Sequence, residues 1–487
     1  MFGFSKLKYS IRTELCRRPL LLLFFLIFLI FDYIIINTIL FSKSSIKLST
    51  TIEYKEEYLE QLELIAEWSP EWENKWNSIN CDKIFDGGFI YALTNKIQIG
   101  DPLEEKNLPM DCKSIKNRNG MADSWIKNTT KEEKEFPLAF TRIVYKDYLL
   151  LEMELALHYT PENWYCYVVD SKSSPLFYSR LQRLSKCFPN IIIAEKRFNI
   201  SRAGHNTSNA MIECANILAK PERRWNYLIN LQNHDIQAKT NAEMVRIFSL
   251  LDGANDVEIC DTNANAIERI KYYLDNFIWS FEELKLYKND SKNKQQQSLL
   301  NIFFNPPKAL TISKGYSAAS ISRDFVDFIT KELNLEKLLE QLNKAEFGVD
   351  EHLWQTLSIS DDLNAPGGFT EKCYISGYKT PFITRYALWE NTNCFSRQIR
   401  HDVCVFGLED LTTENLFNLP HLFINKMMPQ YDFGVIKCWH KKLIERQKIN
   451  SERKLNLKYY ENWPQTIYNQ MRRKNKGKIK MSEFKCE

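Results

Sequence analysis

The 487 residues permit one large domain or two smaller ones, and no internal repeat divides them. Lysine and arginine number 65 against 61 acids, and the resulting net charge of +4 is too small to point to nucleic acid.

The first predicted element is a membrane anchor. Residues 20–41 are almost wholly apolar and about long enough to cross a bilayer as a helix, although Asp32, Asn37 and Thr38 interrupt them. A carboxylate at that depth is costly and calls for protonation or a partner. Lys6, Lys8, Arg12, Arg17 and Arg18 precede the run against Glu14 alone, whereas Lys43 and Lys47 follow it. The positive-inside rule then keeps residues 1–18 in the cytoplasm and sends the rest across. The run is too long for a signal peptide core and no Ala-x-Ala-like cleavage site follows, so a signal anchor over 19–41 is expected. Of 12 cysteines only Cys16 precedes it, leaving an odd eleven where disulfides form and one thiol free or paired between chains. Asn-x-Ser/Thr sequons at Asn128, Asn199, Asn206 and Asn289 fit the same secretory compartment.

Residues 42–80 are rich in charge and read as a stem, with an exposed helix predicted over 53–77. From 136 to about 258 strand and helix patterns alternate. Strands are predicted at 139–144, 164–169, 191–194 and 225–231, with helices at 148–157, 176–187, 208–218 and 242–251. That alternation favours βαβ units and a parallel sheet, whose ligands bind past the carboxyl ends of the strands. Asp170 and Asp235 are each placed at such an end, although either reads equally as a turn or helix cap. The run from Arg472 to Lys480 carries six basic residues in nine positions and reads as a solvated end of a basic tail over 447–487.

Several motifs are missing. There is no Gly-x-Gly-x-x-Gly, no P-loop and no zinc-like Cys/His spacing. No Asp-x-Asp occurs, so if a nucleotide sugar is bound, something other than a metal held by that triplet must neutralise its diphosphate. The cluster Val349-Asp350-Glu351-His352-Leu353-Trp354 sets one carboxylate between a second carboxylate and an imidazole. That suits a general base, whose proton affinity is adjusted by its neighbours and by partial removal from water. Asp350 and His352 read as positioning neighbours of Glu351, and Trp354 as packing behind it.

Seven blocks in order carry a family resemblance. They are Phe136-Pro137-Leu138-Ala139-Phe140, Trp164-Tyr165-Cys166-Tyr167-Val168-Val169-Asp170 and Cys187-Phe188-Pro189-Asn190. Tyr227-Leu228-Ile229-Asn230-Leu231 follows, leading to Asp235 and Lys239-Thr240-Asn241, then Asp350-Glu351-His352-Leu353-Trp354-Gln355-Thr356-Leu357. The last are Val403-Cys404-Val405-Phe406-Gly407 with Asp410-Leu411, and Pro420-His421-Leu422-Phe423-Ile424-Asn425-Lys426. Over roughly 136–446 the chain resembles the core-2/I-branching β-1,6-N-acetylglucosaminyltransferases, glycosyltransferase family 14, which also includes peptide O-xylosyltransferases.

The resemblance implies an α/β, GT-A-like nucleotide-sugar-binding fold with a central, mainly parallel sheet over 81–446, behind the transmembrane helix and stem. It implies an inverting enzyme with no cofactor and no metal beyond the UDP-sugar co-substrate. Glu351 is then the base that takes the acceptor hydroxyl proton, and Asp170 contacts the uridine. Arg400 and Lys426 stabilise the departing UDP, and His205 is a donor-side candidate. Arg400 lies four residues before Cys404, where the family has three, and one inserted residue reconciles them. Glu258 and Arg269 match acceptor-binding positions. A lysine expected between them is Ala266, and the family's Trp-x-Tyr platform is absent, with Tyr386 and Trp389 nearby to substitute. The cysteine pattern implies Cys81–Cys438, Cys112–Cys187, Cys166–Cys214 and Cys394–Cys404. Cys260, Cys373 and Cys486 remain, with Cys260–Cys373 the candidate for a further bridge.

The expected function is a Golgi, single-pass type II enzyme with a lumenal catalytic domain. It would move N-acetylglucosamine (GlcNAc) from UDP-GlcNAc to a Gal or GalNAc hydroxyl of O-glycans. A peptide O-xylosyltransferase using UDP-xylose is the alternative within enzymes, although only about 40 residues follow Arg446 where a large C-terminal domain would favour it. A catalytically silent, membrane-anchored glycan-binding protein is the alternative outside them, and retention of Glu351, Arg400 and Lys426 together speaks against it. A glycosidase needs a second acid at a defined distance. Homodimerisation is left open.

Overall fold

The computed structural model describes residues 73–99, 107–118, 129–259, 279–293, 307–389, 393–413, 415–448, 455–475 and 484–486. The predicted anchor, most of the stem, Asn128, Cys260 and Arg269 lie outside them. Among the described residues no helix is long and apolar enough to cross a membrane. Of the predicted stem helix, the described part Glu73–Ser78 is helical and buries no residue.

Eleven short strands are described: β1 (Leu138–Val144), β2 (Trp164–Val169), β3 (Ile191–Ile193), β4 (Tyr227–Gln232), β5 (Asp235–Gln237), β6 (Asp256–Val257), β7 (Ala319–Ser322), β8 (Arg385–Ala387), β9 (Ile399–Arg400), β10 (Val403–Cys404) and β11 (Phe423–Asn425). The main sheet has the order β3-β2-β1-β4-β7-β6. Its first four strands run parallel, and β7 and β6 close the far edge antiparallel. Helices Tyr148–His158, Pro175–Cys187 and Thr207–Leu218 connect successive parallel strands, as the alternating pattern predicts.

The strands are apolar on both faces because helices cover both. All seven residues of β1 are buried. Ala139 and Ile143 join Cys166 and Val168 in a core with Ala210, Met211 and Cys214 of the Thr207–Leu218 helix. Phe140 packs instead on Tyr165 and His158, with ring centroids 5.3 and 4.5 Å away. A capping box of Thr240 and Glu243 starts the next helix, Asn241–Leu251, and such a cap stabilises by about 1 kcal/mol.

Register sets where the strands stop. Val144 pairs with Val169 and Ile143 with Gln232, so β1, β2 and β4 end together. Tyr145, Lys146 and Asp147, Asp170, and Asn233 and His234 therefore emerge along one edge. A second sheet, β5-β11-β8, meets this edge, with β11 central.

Asp235 departs from expectation. It does not meet a ligand: it is fully buried, accepts from Arg385 Nη2 and Asn425 Nδ2 at 2.8 Å each, and accepts from the Gln232 amide at 2.6 Å. A buried carboxylate needs such partners, and these join β4, β5, β8 and β11.

All four disulfides implied by the resemblance are formed, and a fifth joins Cys373 to Cys486. The last replaces the anticipated Cys260–Cys373 bridge. Its cause is aromatic packing: Phe484 lies 5.9 Å from Phe369 and 5.2 Å from Tyr468, which brings Cys486 against the Cys373 helix. The tail is likewise not a solvated end over its described part. Helix Pro464–Lys474 lies on the domain, with Arg472 Nη1 donating to the Ala365 carbonyl at 2.7 Å and Arg473 pairing with Asp252 at 2.8 Å.

Candidate active site

Gly348, at φ 70°, turns the chain into the short 3-10 helix Val349–Glu351, which runs on into helix Leu353–Ile359. Trp354 is fully buried, and its indole N–H reaches Met211 Sδ at 3.4 Å, so it packs behind the turn. His352 is buried, with Nδ1 2.9 Å from the Ser313 carbonyl, and burial pulls its pKa below the ordinary value. The Asp350 carboxyl fills the space over Gly204, where an added Cβ would come within 1.9 Å of it. Burial and then the charge of Glu351 push Asp350 up to about 6. Glu351 keeps 32% of its side chain in solvent, and its Oε2 lies 3.0 Å from Lys314 Nζ.

The cations come from the second sheet and the β9–β10 hairpin. In that hairpin Arg400 pairs with Val403, and the two intervening residues, His401 and Asp402, have φ of 54° and 61°. Two consecutive positive φ values make the tight turn that suits a two-residue hairpin. The four-residue spacing from Arg400 to Cys404 is this hairpin's own register. Lys426 follows β11, is joined to Asn425 by a cis peptide bond, and donates from Nζ to the Arg400 carbonyl at 3.1 Å. Burial first, then the charges of Arg400 and Arg385, lower Lys426 to about 8. His401 is lowered by burial and by Arg202, Lys426 and Arg400, so these four groups share one positive field. Among the described residues neither Arg400 nor Lys426 has a carboxylate partner.

Asp170 caps its own turn, accepting the Lys172 amide at 2.9 Å with Lys172 Nζ 3.2 Å from its other oxygen. Tyr145 lies within reach of both Asp170 and Arg400: burial raises its hydroxyl's pKa, Arg400 opposes this, and Asp147 and Asp170 add to it. Beneath it His234 Nε2 is 2.6 Å from Asp147. His205 is half-buried. Its ring nitrogens are engaged by Ser201 Oγ at 2.8 Å and the Ala345 carbonyl at 2.9 Å.

On the other flank Glu258 accepts the Tyr316 amide at 2.9 Å. Trp389 stacks on Tyr316 with centroids 6.1 Å apart and planes 10° from parallel, and its indole N–H donates to the Tyr316 hydroxyl. Tyr386 lies apart from them, its ring 5.1 Å from His421, and it lines a hollow with Leu388, Phe395 and Phe406. Sequence reasoning missed Tyr145, Lys314 and Tyr316. Tyr145 follows directly on the end of β1, which is a usable signal. For Lys314 and Tyr316 the one local mark is Gly315, whose added Cβ would stand 2.0 Å from the Glu258 carbonyl oxygen.

Among the described residues one group has metal-ligand spacing, Cys394, Cys404 and Asp410. Its two sulfurs are spent on a disulfide. Of the sequons, Asn199 and Asn289 are exposed. The half-buried Asn206 donates its amide nitrogen to the Asn199 carbonyl at 2.8 Å.

Residues 138–413 match the model of the Core-2/I-Branching enzyme family. The β-1,3-galactosyl-O-glycosyl-glycoprotein β-1,6-N-acetylglucosaminyltransferase 3 of Rattus norvegicus is 28% identical over 382 residues, 74% of this chain and 82% of the relative. The corresponding transferase 4 of Danio rerio is 28% identical over 386 residues, covering 76% and 85%. Transferase 4 of Mus musculus reaches 30% identity over 331 residues, covering 66% and 69%. The chain belongs to the Core-2/I-branching enzyme family and is a glycosyltransferase, which implies a nucleotide-sugar donor and a glycan acceptor.

Proposed function

We propose that the protein is an inverting, metal-independent transferase that moves GlcNAc from UDP-GlcNAc to a Gal or GalNAc hydroxyl of O-glycans, forming a β-1,6 branch. The observation that carries this reading is the pairing of Arg400 with Lys426. Lys426 is half-buried against the Arg400 backbone, and burial with the Arg400 charge disfavours its cation more than the charge of Asp235 favours it, so an anion sharing the space is stabilising. A diphosphate at the carboxyl ends of β1, β2 and β4 is such an anion. Cations fixed where charge develops do the work that a metal does elsewhere.

In this reaction Asp170 holds the uridine and Glu351 takes the proton from the acceptor hydroxyl. The acceptor oxygen bonds to the anomeric carbon from the face opposite UDP. The bond to the donor phosphate breaks, and UDP leaves with the electron pair toward Arg400 and Lys426. Glu258, Arg269 and Trp389 bind the acceptor, while His205 acts at a distance by holding its loop. The relatives are named for N-acetylglucosaminyl transfer, which supports GlcNAc over xylose. The basic amino-terminal flank and apolar run support a Golgi membrane anchor with the catalytic domain in the lumen.

The test is transfer from UDP-GlcNAc or UDP-xylose to a β-1,3-galactosyl-N-acetylgalactosamine acceptor, with and without EDTA. GlcNAc transfer is expected to survive EDTA and to fall about 10²- to 10⁴-fold in Glu351→Gln. Loss in EDTA would refute metal independence, wild-type turnover in the variant would refute the base, and transfer from UDP-xylose alone would refute the donor. Inertness of wild type and variant alike would favour a silent glycan binder.

A further inference from the structure

We infer that Lys314 is a positioning residue for the catalytic carboxylate, fixing one oxygen of Glu351 so that the other faces the acceptor hydroxyl. The inference rests on Glu351 acting as the base. Lys314 Nζ lies 3.0 Å from Oε2, with the two side chains 27% and 32% exposed, so the pair is partly shielded while still open to a ligand. Gly348 also lies near this oxygen, and a Cβ added there would be 3.1 Å away. Oε2 is thus the oxygen held by the ammonium, and a side chain at position 348 would crowd it. Oε1 has no hydrogen-bond partner among the described residues.

The backbone that carries Lys314 is tied to the element that carries Glu351. The Ser313 amide donates to Thr356 Oγ1 at 3.2 Å, and the Ser313 carbonyl lies 2.9 Å from His352 Nδ1. The Gly315 amide donates to the Glu351 carbonyl at 3.0 Å, and Gln355 Nε2 donates to the Tyr316 carbonyl at 2.6 Å. The same strap reaches the acceptor flank, because the Tyr316 amide donates to Glu258. These bonds on Ser313, Gly315 and Tyr316 fix the backbone on either side of Lys314, so only its side-chain rotamers remain to be ordered.

The charged and titratable groups around Glu351 leave this work to Lys314. Asp350 is a like charge next in sequence, and His352 is buried with its ring turned to the Ser313 carbonyl. Neither orients the Glu351 carboxylate. A base displaced by about 1 Å loses about 10²-fold in rate, so holding one oxygen has a kinetic return well beyond the small stability of a partly exposed ion pair.

The experiment compares Lys314→Met and Lys314→Arg in the full-length protein, with Glu351→Gln alongside, using UDP-GlcNAc and the galactosyl acceptor above. Lys314→Met is expected to lower kcat about 10- to 100-fold while both KM values stay within about twofold. Lys314→Arg should recover most of the rate, and the melting temperature should not move. Wild-type kcat in Lys314→Met beside an inactive Glu351→Gln overturns the inference and leaves the base standing. A raised acceptor KM at unchanged kcat overturns it in favour of direct acceptor contact. A lowered melting temperature with no recovery in Lys314→Arg overturns it in favour of a structural ion pair. An active Glu351→Gln removes the base and this inference together.

Discussion

Lys426 shows how much a single residue's surroundings add to its identity. An ordinary lysine stays charged to about 10.5, but this one is held near 8 by burial and by Arg400 and Arg385. Its pKa is lowered, so the cation is present below about pH 8 and is lost as pH rises through that value. Donor kcat/KM should therefore fall above about pH 8, and Lys426→Arg, which stays charged, should flatten that limb. An unchanged alkaline limb in Lys426→Arg would assign it to another group. The segments that carry Glu351, Arg400 and Lys426 were legible as runs of recognisable residues. Asp235 was misread because the end of a strand predicts exposure, whereas it opens β5, whose partner strands in the second sheet come from residues 385–425, far along the chain. Lys314 and Tyr316 were illegible for a similar reason: their partners Glu351, Glu258 and Trp389 are distant in sequence.

Among the elements, the 201–206 loop is the one whose role changed most. Sequence placed His205 on the donor side, but the histidine clips the loop to Ala345. The neighbouring Gly204 is the residue that meets the Val349–Glu351 turn: it has φ 89° and lies against the Asp350 carboxyl, and the Ala203 carbonyl beside it accepts the Gly348 amide at 2.9 Å. Gly204→Ala combines an unfavourable backbone conformation with a clash and should destabilise the fold by about 2–5 kcal/mol. Chemical denaturation measures this, and a loss under about 0.5 kcal/mol would mean that the loop moves aside freely. The hairpin departure is of a different kind. Two positive-φ residues, His401 and Asp402, make its turn and leave Arg400 paired across from Val403, which is compatible with one residue more than the family spacing.

For the molecule as a whole, the parallel core was the most legible part, because strands buried on both faces give unbroken apolar runs between helices of even length. The short antiparallel and second-sheet strands were not, since two to four residues leave little period to read. The carboxyl-terminal closure was hidden too, because sequence cannot fix which cysteines pair. Cys486→Ser should cost about 2–4 kcal/mol by freeing the unfolded chain. It should also speed hydrogen exchange in helix Pro464–Lys474, and unchanged protection there would show that the helix docks without the bridge. The Cys394–Cys404 bond bears on practice in another way. Cys404 lies in β10, whose partner strand presents Arg400, so the proposed diphosphate grip hangs on a hairpin closed by oxidation. Recombinant enzyme from a reducing bacterial cytosol should then emerge with a defect in donor affinity that other measures of quality miss, and the choice of expression host becomes part of any attempt to assay it.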